Sequence, residues 1–590
     1  MSYFAYVNTL WNLRPTPDPQ VVETLAQALG IDALSASVFV IRGLDDFDAV
    51  KAFCTPLDQP RPDPRLMADM DRATVRVLKA IADQETVMIY GDYDVDGTTA
   101  VALMYQFLRP HLSALHCYIP DRYTEGYGIS EHGIRQAAEW GCRLMIALDC
   151  GIKSVDKVEL ANSLGIDCIV CDHHQPGAVL PAAAAVLDPL RLDCAYPYKG
   201  LSGCGVGFKL AEALNQALGL DPSTLEPLTD LVAVSIGSDI VPMTGENRIL
   251  AALGLNVLNQ RPRPGFKALI QSAGGGVYGI DEVVFRIGPR INAAGRMRHG
   301  MHAVALLSAS TDEEAQALAE AIETDNHDRK KADDQTRGEA LEQLKGTEDR
   351  RTSVVFAPHW KKGVIGIVAS RLIEQWYRPT VVFTGEGAVL SGSARSVAGF
   401  DLYSAIDACS EHLIQFGGHA FAAGMTVAAD RLDDFRSAFE HVVSERLRPE
   451  HLQPTLDIEL ELPLEALKLS FVGLLRRLAP FGPQNPKPVF CSRNLLVSTF
   501  KRLGADQSHL KMGLALPGGG LLDAIYFKRA EEALPIVQSG PVDLAYHVEV
   551  NEWQGRQSVQ LMVLDLKPSA MATGQSGTVE FSRDYTKNAQ

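Results

Sequence analysis

The sequence predicts a multidomain α/β protein, with parallel sheets flanked by helices over most of the chain and a small β-barrel near its C-terminal end. Three observations predict this. From Thr86 onward, short apolar runs broken by acids or glycine alternate with helix-like stretches. A second pattern of the same kind begins at Ser353. From about residue 455 to 568 the apolar runs are short, alternate with polar residues and are separated by turn signals such as Gln554-Gly555.

Each element follows in order. Residues 1–75 mix helical patterns with a Pro-rich patch, TPLDQPRPDPR, and read as an N-terminal extension. Within 76–310, TVMIYGDYDVDGTTA, RLMIALDCG and DCIVCDHH read as parallel strands, with ALMYQFLRPHL and SVDKVELANSLG as helices between them. Ligands of such sheets bind beyond the carboxyl ends of the strands. Residues 311–351 contain no proline and carry dense mixed charge. Ala315, Leu318, Ala319 and Ile322 recur there at helical spacing, so a long connecting helix or helix pair is predicted. SVVFAP (353–358) and PTVVFTG (379–385) open a second α/β domain at 352–450. VDLAYHVEV and SVQLMVLDL belong to the barrel at 455–568. The polar residues 569–590 form a tail expected to be disordered. No repeat of 20–50 residues is visible.

Composition removes several function classes. The chain has 590 residues, about four domain lengths, with 46% hydrophobic and 22% charged residues, which disfavours disorder, collagen and coiled coil. A net charge of −17 excludes a uniformly basic nucleic-acid coat but leaves room for a local basic surface. The stretch His412–Ala429 lacks Asp, Glu, Lys and Arg, but two histidines, Gln415 and Gly417-Gly418 make it a poor membrane span. The first residues lack a basic segment followed by an apolar core, so no signal peptide is expected and the cytoplasm is the predicted compartment. Ten cysteines suit reducing conditions. Cys168 and Cys171 have C-x-x-C spacing, but GIDCIVCDHH reads as a buried strand, and residues three apart on a strand face opposite sides.

Acids and histidines gather where apolar runs end. Asp92, Asp94 and Asp96 alternate in GDYDVDG, Asp149 ends RLMIALD, Asp172-His173-His174 ends DCIVC, and Asp239 ends LVAVSIGSD. If the first strand continues, its three acids share one side; if Gly91 and Gly97 mark a turn into a helix, the acids spread around a centre. Hard oxygen ligands with imidazole at one sheet edge suit Mn²⁺ or Mg²⁺ better than a thiolate metal. Helix capping explains any one of these acids. It does not explain four clusters with two adjacent histidines.

These four motifs resemble those of the DHH phosphoesterases. IPDRYTEGYG (119–128), LSGCGVGFKL (201–210), GENR (245–248), RINAAGRM (290–297), GVIGIVASRL (363–372), GSARS (392–396), FGGHAFAAG (416–424) and LAPFGPQNPKPVF (478–490) further resemble the RecJ family of single-strand-specific 5′→3′ DNA exonucleases. The resemblance runs from about residue 85 to 490. It implies an α/β protein with a DHH-type parallel-sheet domain, a long connecting helix, a DHHA1 α/β domain and a C-terminal OB-fold. It also implies two divalent cations, Mn²⁺ or Mg²⁺. Carried over by motif, Asp92 and Asp94 are ligands, one favouring each metal, and Asp149 bridges the two. His173 and Asp239 complete the second site, and His174 contacts the scissile phosphate. Asp149, His173 and His174 are thus the catalytic set, with Asp96 and Asp172 standing behind the ligands. Met88 takes the place of a histidine found in relatives outside RecJ, as a RecJ-like chain allows.

The resemblance also assigns phosphate-handling residues. Arg122, Arg290, Asn292 and Arg296 are expected to hold the DNA backbone, arginine's fork matching two phosphate oxygens. Ser393 and Arg395 in GSARS, with Gly417, Gly418 and His419 in GGH, form glycine-rich loops expected to face the DHH cleft. From Lys468 to Arg529 there are ten Lys/Arg and two Asp/Glu, a net +8. Phe500, Tyr526, Phe527 and Trp553 lie near Lys501, Arg502, Lys528, Arg529 and Arg556, as a single-strand groove requires, though some must fill the barrel core. The leading expectation is a monomeric exonuclease releasing mononucleotides from single-stranded DNA in recombination and repair. A single-stranded-DNA-binding protein and a RecQ-type helicase are its expected companions, and no membrane is involved. A small-nucleotide phosphodiesterase would not need the barrel, and a non-catalytic scaffold would have lost its ligands.

Overall fold

A computed structural model describes residues 9–569. Among these, residues 55–454 and 480–486 form one compact unit, and 9–54, 455–479 and 487–569 form a second. The expected disordered tail lies, but for its first residue, outside the described residues.

The first unit is built on a parallel sheet. Its strands are β1 (Val87–Gly91), β2 (Leu115–Tyr118), β3 (Leu144–Leu148), β4 (Asp167–Cys171) and β5 (Ala185–Leu187), in the order β2-β1-β3-β4-β5. Every residue of β1 and β3 is buried, because helices cover both faces and leave no polar side. Val87, Ile89, Ile146 and Leu148 pack on one face with α1 (Val95–Leu108), α2 (Gly203–Ala217) and α3 (Thr229–Ser238). Met88, Tyr90, Met145 and Ala147 pack on the other with Ile134 and Val158. The same alternation separates Cys171 from Cys168, which lie in different clusters, and both are free thiols. A shared zinc is thereby excluded for this pair.

The helix α4 (Gly288–Met297) precedes α5 (Asp312–Leu344), which is one continuous helix of 33 residues, about 50 Å long. The Thr311 hydroxyl accepts from the Glu314 N–H at its start, and Asp312, Glu313 and Glu314 complement the helix dipole. The second sheet contains β6 (Ser353–Phe356), β7 (Thr380–Thr384), β8 (Val389–Arg395), β9 (Gln415–Gly418) and β10 (Ala422–Ala428), in the order β9-β10-β8-β7-β6. Only β6 and β7 pair in parallel, and α6 (Ile365–Gln375) connects them. The charge-free stretch 412–429 is the β9–β10 hairpin of this sheet. Among the described residues no single helix is long and apolar enough to cross a membrane.

The second unit is a closed barrel. Its strands are β11 (Phe490–Leu495), β12 (Val497–Leu503), β13 (His509–Ala515), β14 (Leu521–Tyr526), β15 (Val542–Trp553) and β16 (Arg556–Pro568), with α7 (Ala530–Ser539) between β14 and β15. The sheet runs β11-β15-β16-β14-β13-β12. The two-residue strand Leu460–Glu461 adds in parallel to the outer edge of β11, and β11 and β12 are halves of one strand, bent at Leu496. That strand pairs with β15 through one half and with β13 through the other. Five physical strands therefore form the closed OB-fold that the sequence predicts. Residues 9–54 belong to this unit. Leu10–Leu13 pairs in parallel with Thr455–Ile458, and Arg42 and Glu459 form a buried ion pair at 2.6 Å.

Trp11 fastens this N-terminal strand. Its Nε1–H donates to Asp565 at 2.6 Å, and Lys567 Nζ lies 4.7 Å from the ring centre while donating to the Thr9 carbonyl. Trp11→Ala removes a charge-assisted bond and a cation–π contact, so it should cost about 2 kcal/mol in the barrel unit. Urea unfolding followed by barrel-specific hydrogen exchange measures this. Unchanged protection in β15 and β16 would refute the docking role.

Candidate metal centre and phosphate pocket

The parallel strands end in register, Gly91 beside Leu148, Leu148 beside Cys171 and Cys171 beside Leu187. The next residue of each is an aspartate: Asp92, Asp149, Asp172 and Asp188. The Asp149 N–H continues the ladder to the Cys171 carbonyl at 2.8 Å, and the Asp172 N–H to Leu187 at 2.9 Å. Asp92 and Asp94 lie in the turn between β1 and α1, and Asp96 lies in the first helical turn. Asp239 departs from the sequence-based expectation. It follows the helix α3, not a strand. The run LVAVSIG is buried on all sides, and an apolar segment of that length does not distinguish a strand from a buried helix.

The ligand atoms form three overlapping groups. Asp92, Asp94 and Asp149 make one, Asp96, His173 and Asp239 another, and Asp149, His173 and His174 a third, with atoms within 4.8 Å of one another in each. Asp149 belongs to two groups, and so does His173. His173 Nε2 stands 3.2 Å from Asp149, 3.6 Å from Asp239 and 3.7 Å from Asp96. Asp92 Oδ1, Asp149 Oδ1 and His173 Nε2 are buried without a hydrogen-bond partner among the described residues. Unpartnered buried oxygens beside an imidazole nitrogen fit a hard divalent cation.

Electrostatics agree with that fit. Burial first, then the neighbouring Asp94, pushes Asp92 well above the usual carboxylate range, and burial with Asp96, Asp94, Asp239 and Asp92 does the same to Asp149. Burial and the charges of Asp96 and Asp94 push Asp239 up to about 9. A cation removes this repulsion.

Asp96, although a member of one ligand group, and Asp172 already have donors. Asp96 accepts from the Gly203 and Cys204 N–H groups and the Ser235 hydroxyl, each at 2.7 Å. Asp172 accepts from His174 Nδ1 at 2.7 Å and from the Ile152 N–H at 2.9 Å. Burial works to raise Asp172, but His174 and Ile152 outweigh it and the net shift is downward. For His174, burial works downward, and Asp172 outweighs it to set a value of about 9. Two residues escaped the sequence reading. Tyr127 meets His174 Nε2 at 3.1 Å through its hydroxyl, and its place in TEGYG was the available signal. Asp188 is buried with Oδ2 unpartnered, and burial pushes it up to about 7. It ends AVL as Asp149 ends MIAL, but a three-residue strand gives little signal.

A cleft of about 510 Å³ opens beside these residues, lined by Arg122, Tyr127, Arg296, Lys362, Ser393, Arg395 and Gly417. Arg122 stacks over Tyr93 at 4.2 Å. Arg395 donates to Ser393 Oγ at 3.2 Å and the Ala394 carbonyl at 2.8 Å, and among the described residues it pairs with no carboxylate. Burial lowers it. Burial, Arg122, Arg329 and Arg395 lower Arg296 to about 10. A bound anion would stabilise this cationic group. The other expected contacts do not line the cleft. Arg290 is paired with Glu323 at 2.6 Å and bonded to the Arg286 carbonyl, so its guanidinium is already occupied. Asn292 is half-buried on α4, and Gly418 and His419 are exposed at the β9–β10 turn.

Comparisons with known proteins match this architecture. The profile of the DHH family, N-terminal domain, covers residues 86–236, the DHHA1 domain 330–445 and the RecJ OB domain 458–565. The single-stranded-DNA-specific exonuclease RecJ of Bacillus subtilis is 37% identical, over 94% of this chain and 70% of that protein. The RecJ of Dickeya dadantii is 35% identical, over 94% of this chain and 98% of that protein. The chain belongs to the RecJ family. A crystal structure of RecJ in complex with Mn²⁺ from Thermus thermophilus superposes with a TM-score of 0.82 at 28% identity, covering 95% of this chain and 80% of that one. A Mg²⁺ complex from the same organism gives 0.76 at 26% identity, covering 95% and 79%.

Gly203 sets the position of Asp149 within this RecJ centre. Asp149 has a φ of 60°, which aspartate tolerates better than most residues. A Cβ on Gly203 would lie 2.5 Å from Asp149 Cβ and 2.8 Å from its Cα. Gly203→Ala should therefore destabilise by about 1–3 kcal/mol and weaken Mn²⁺ binding by displacing Asp149. Melting curves and calorimetric Mn²⁺ titration check both effects. A wild-type isotherm would disprove the displacement.

Proposed function

We propose that the protein is a single-stranded-DNA-specific exonuclease, degrading DNA 5′→3′ by two-metal-ion phosphodiester hydrolysis and releasing mononucleotides. The observation that carries this reading is Asp149, shared between two ligand groups beside an arginine-lined cleft in a RecJ-family chain. Asp92, Asp94 and Asp149 would hold one cation, and His173 and Asp239 with Asp149 would hold the other. Two divalent cations, Mn²⁺ or Mg²⁺, supply activation of a water and charge stabilisation at the attacking and leaving oxygens when bound.

The protein groups do the rest. Asp172 fixes the ring orientation of His174, which faces the scissile phosphate, and Asp96 orients the α2 N-terminus against the centre. Arg122 and Arg296 meet the non-bridging oxygens of the strand. Arg395 and Ser393 take the 5′ end, whose terminal phosphate offers more charge and one more free oxygen than an internal diester. The cleft is proposed to take one strand and to exclude a duplex. The exposed Phe500, Lys501 and Arg502 on β12, with Phe527 against His509, supply a stacking and phosphate surface on the barrel. The proposed setting is recombination and repair in the cytoplasm, with the protein acting as a monomer. A single-stranded-DNA-binding protein and a RecQ-type helicase are its proposed companions.

Digestion of 5′-labelled and 3′-labelled strands with Mn²⁺, Mg²⁺ or chelator tests the reading directly. Early release of the 5′ label, abolished by chelator, is expected. Asp149→Ala should lower hydrolysis more than about 100-fold while the protein stays folded. Retained turnover at saturating Mn²⁺ would remove Asp149 from the bridge.

End recognition gives a separate test. Arg395→Ala should lower kcat/KM about 10–100-fold on 5′-phosphorylated strands and narrow their advantage over 5′-hydroxyl strands. Equal loss on both substrates, with a lower melting temperature, would mean a structural role only.

A further inference from the structure

Two motifs remain outside the reaction described above, GENR at 245–248 and PFGPQNP at 480–486. They meet. Arg248 Nη1 donates to the Pro480 carbonyl at 3.1 Å, and the Met243 N–H donates to the Pro483 carbonyl at 2.7 Å. Gly482 and Asn485 exchange backbone hydrogen bonds at 3.0 Å, and Asn485 Nδ2 donates to the Pro480 carbonyl at 2.8 Å. The segment is a tight, internally bonded loop. It clusters with the first unit, while the chain on either side of it, 455–479 and 487–569, belongs to the barrel unit.

The loop grips the turn that carries Asp239. This turn, 239–243, joins α3 to the helix Gly245–Gln260. Ile240, directly after Asp239, has a φ of 60° and is 68% exposed. A β-branched residue in that conformation is strained, and such a conformation persists only where its surroundings fix it. Three bonds fix the far end of the turn, and a fourth anchors Asn247, which makes one of them. Tyr198 Oη and Asn247 Nδ2 donate to the Pro242 carbonyl at 3.1 and 2.9 Å, Asn247 Nδ2 also donates to Gly200, and Met243 is bonded to Pro483. The Met243 side chain fills the space beside Gly482, where a Cβ would lie 3.0 Å from Met243 Cβ and 3.2 Å from Cε.

We propose that residues 480–486 are a positioning clip that holds the Asp239 turn in the metal centre, so that cation affinity there depends on a segment of the C-terminal region. The proposal rests on the reading of Asp239 as a metal ligand. The clip residues touch neither cation nor substrate and act through Met243 and the turn.

Calorimetric Mn²⁺ titration of the full chain tests it, with Gly482→Ala, Asn485→Ala and Asp239→Asn beside wild type. Gly482→Ala wedges the clip from Met243. Asn485→Ala loosens it without adding bulk, and carries the comparison where the bulkier variant fails to fold. Both should weaken Mn²⁺ binding about tenfold, in the direction of Asp239→Asn. Their kcat should recover at high Mn²⁺, with KM for a short oligonucleotide unchanged. A lowered melting temperature with a wild-type Mn²⁺ isotherm would make the clip merely structural and overturn the proposal. Wild-type Mn²⁺ binding by Asp239→Asn itself would overturn the ligand role, and the clip's purpose with it.

Discussion

Buried negative charge at one edge of one sheet is the constraint on which the rest of the molecule depends. Asp92, Asp94, Asp149 and Asp239 converge there, each raised by burial and by its neighbours. The protein gives the acids it can satisfy backbone donors, Asp96 from α2 and Asp172 from Ile152 and its own histidines. It leaves Asp92 Oδ1, Asp149 Oδ1 and His173 Nε2 without partners. The division separates acids that shape the centre from acids that wait for a cation.

The opposite charge is kept close but apart. Arg122, Arg296 and Arg395 line the neighbouring cleft, where burial first, and then the charges of Arg122, Arg329 and Arg395, lower Arg296. A substrate phosphate would be attracted from both sides, by cations held on the acids and by guanidiniums that, among the described residues, pair with no carboxylate. This arrangement reconciles a net charge of −17 with an anionic substrate. The overall charge does not govern binding; the local field does.

Legibility in the sequence followed distance along the chain. Asp92, Asp149 and Asp172 were legible because an acid that ends an apolar run is unusual, and a parallel sheet puts such residues on one edge. Asp239 joins the acid cluster but follows a helix where the sequence suggests a strand end, since a wholly buried helix carries no period. Arg290 and Arg395 both sit in glycine-containing motifs, and only the fold shows that Glu323 occupies one while the other faces a cleft. Barrel closure through the bend at Leu496 was not legible either, because one strand supplies two edges. The pairing of residues 480–486 with the Asp239 turn joins segments far apart in sequence, beyond any local signal.

The parallel pairing of Leu10–Leu13 with Thr455–Ile458 bears on biogenesis. A ribosome adding 5–20 residues per second makes residue 10 roughly 20–90 s before residue 455. Throughout that interval the first helices lack the unit to which they belong, and Leu10, Leu13 and their neighbours have no sheet to join. The strands of the α/β unit pair with near neighbours and are free to form as they emerge, with residues 480–486 added to that unit only later. Residues 10–13 complete their pairing only once residues 455–458 are made, and need chaperone cover for that whole interval.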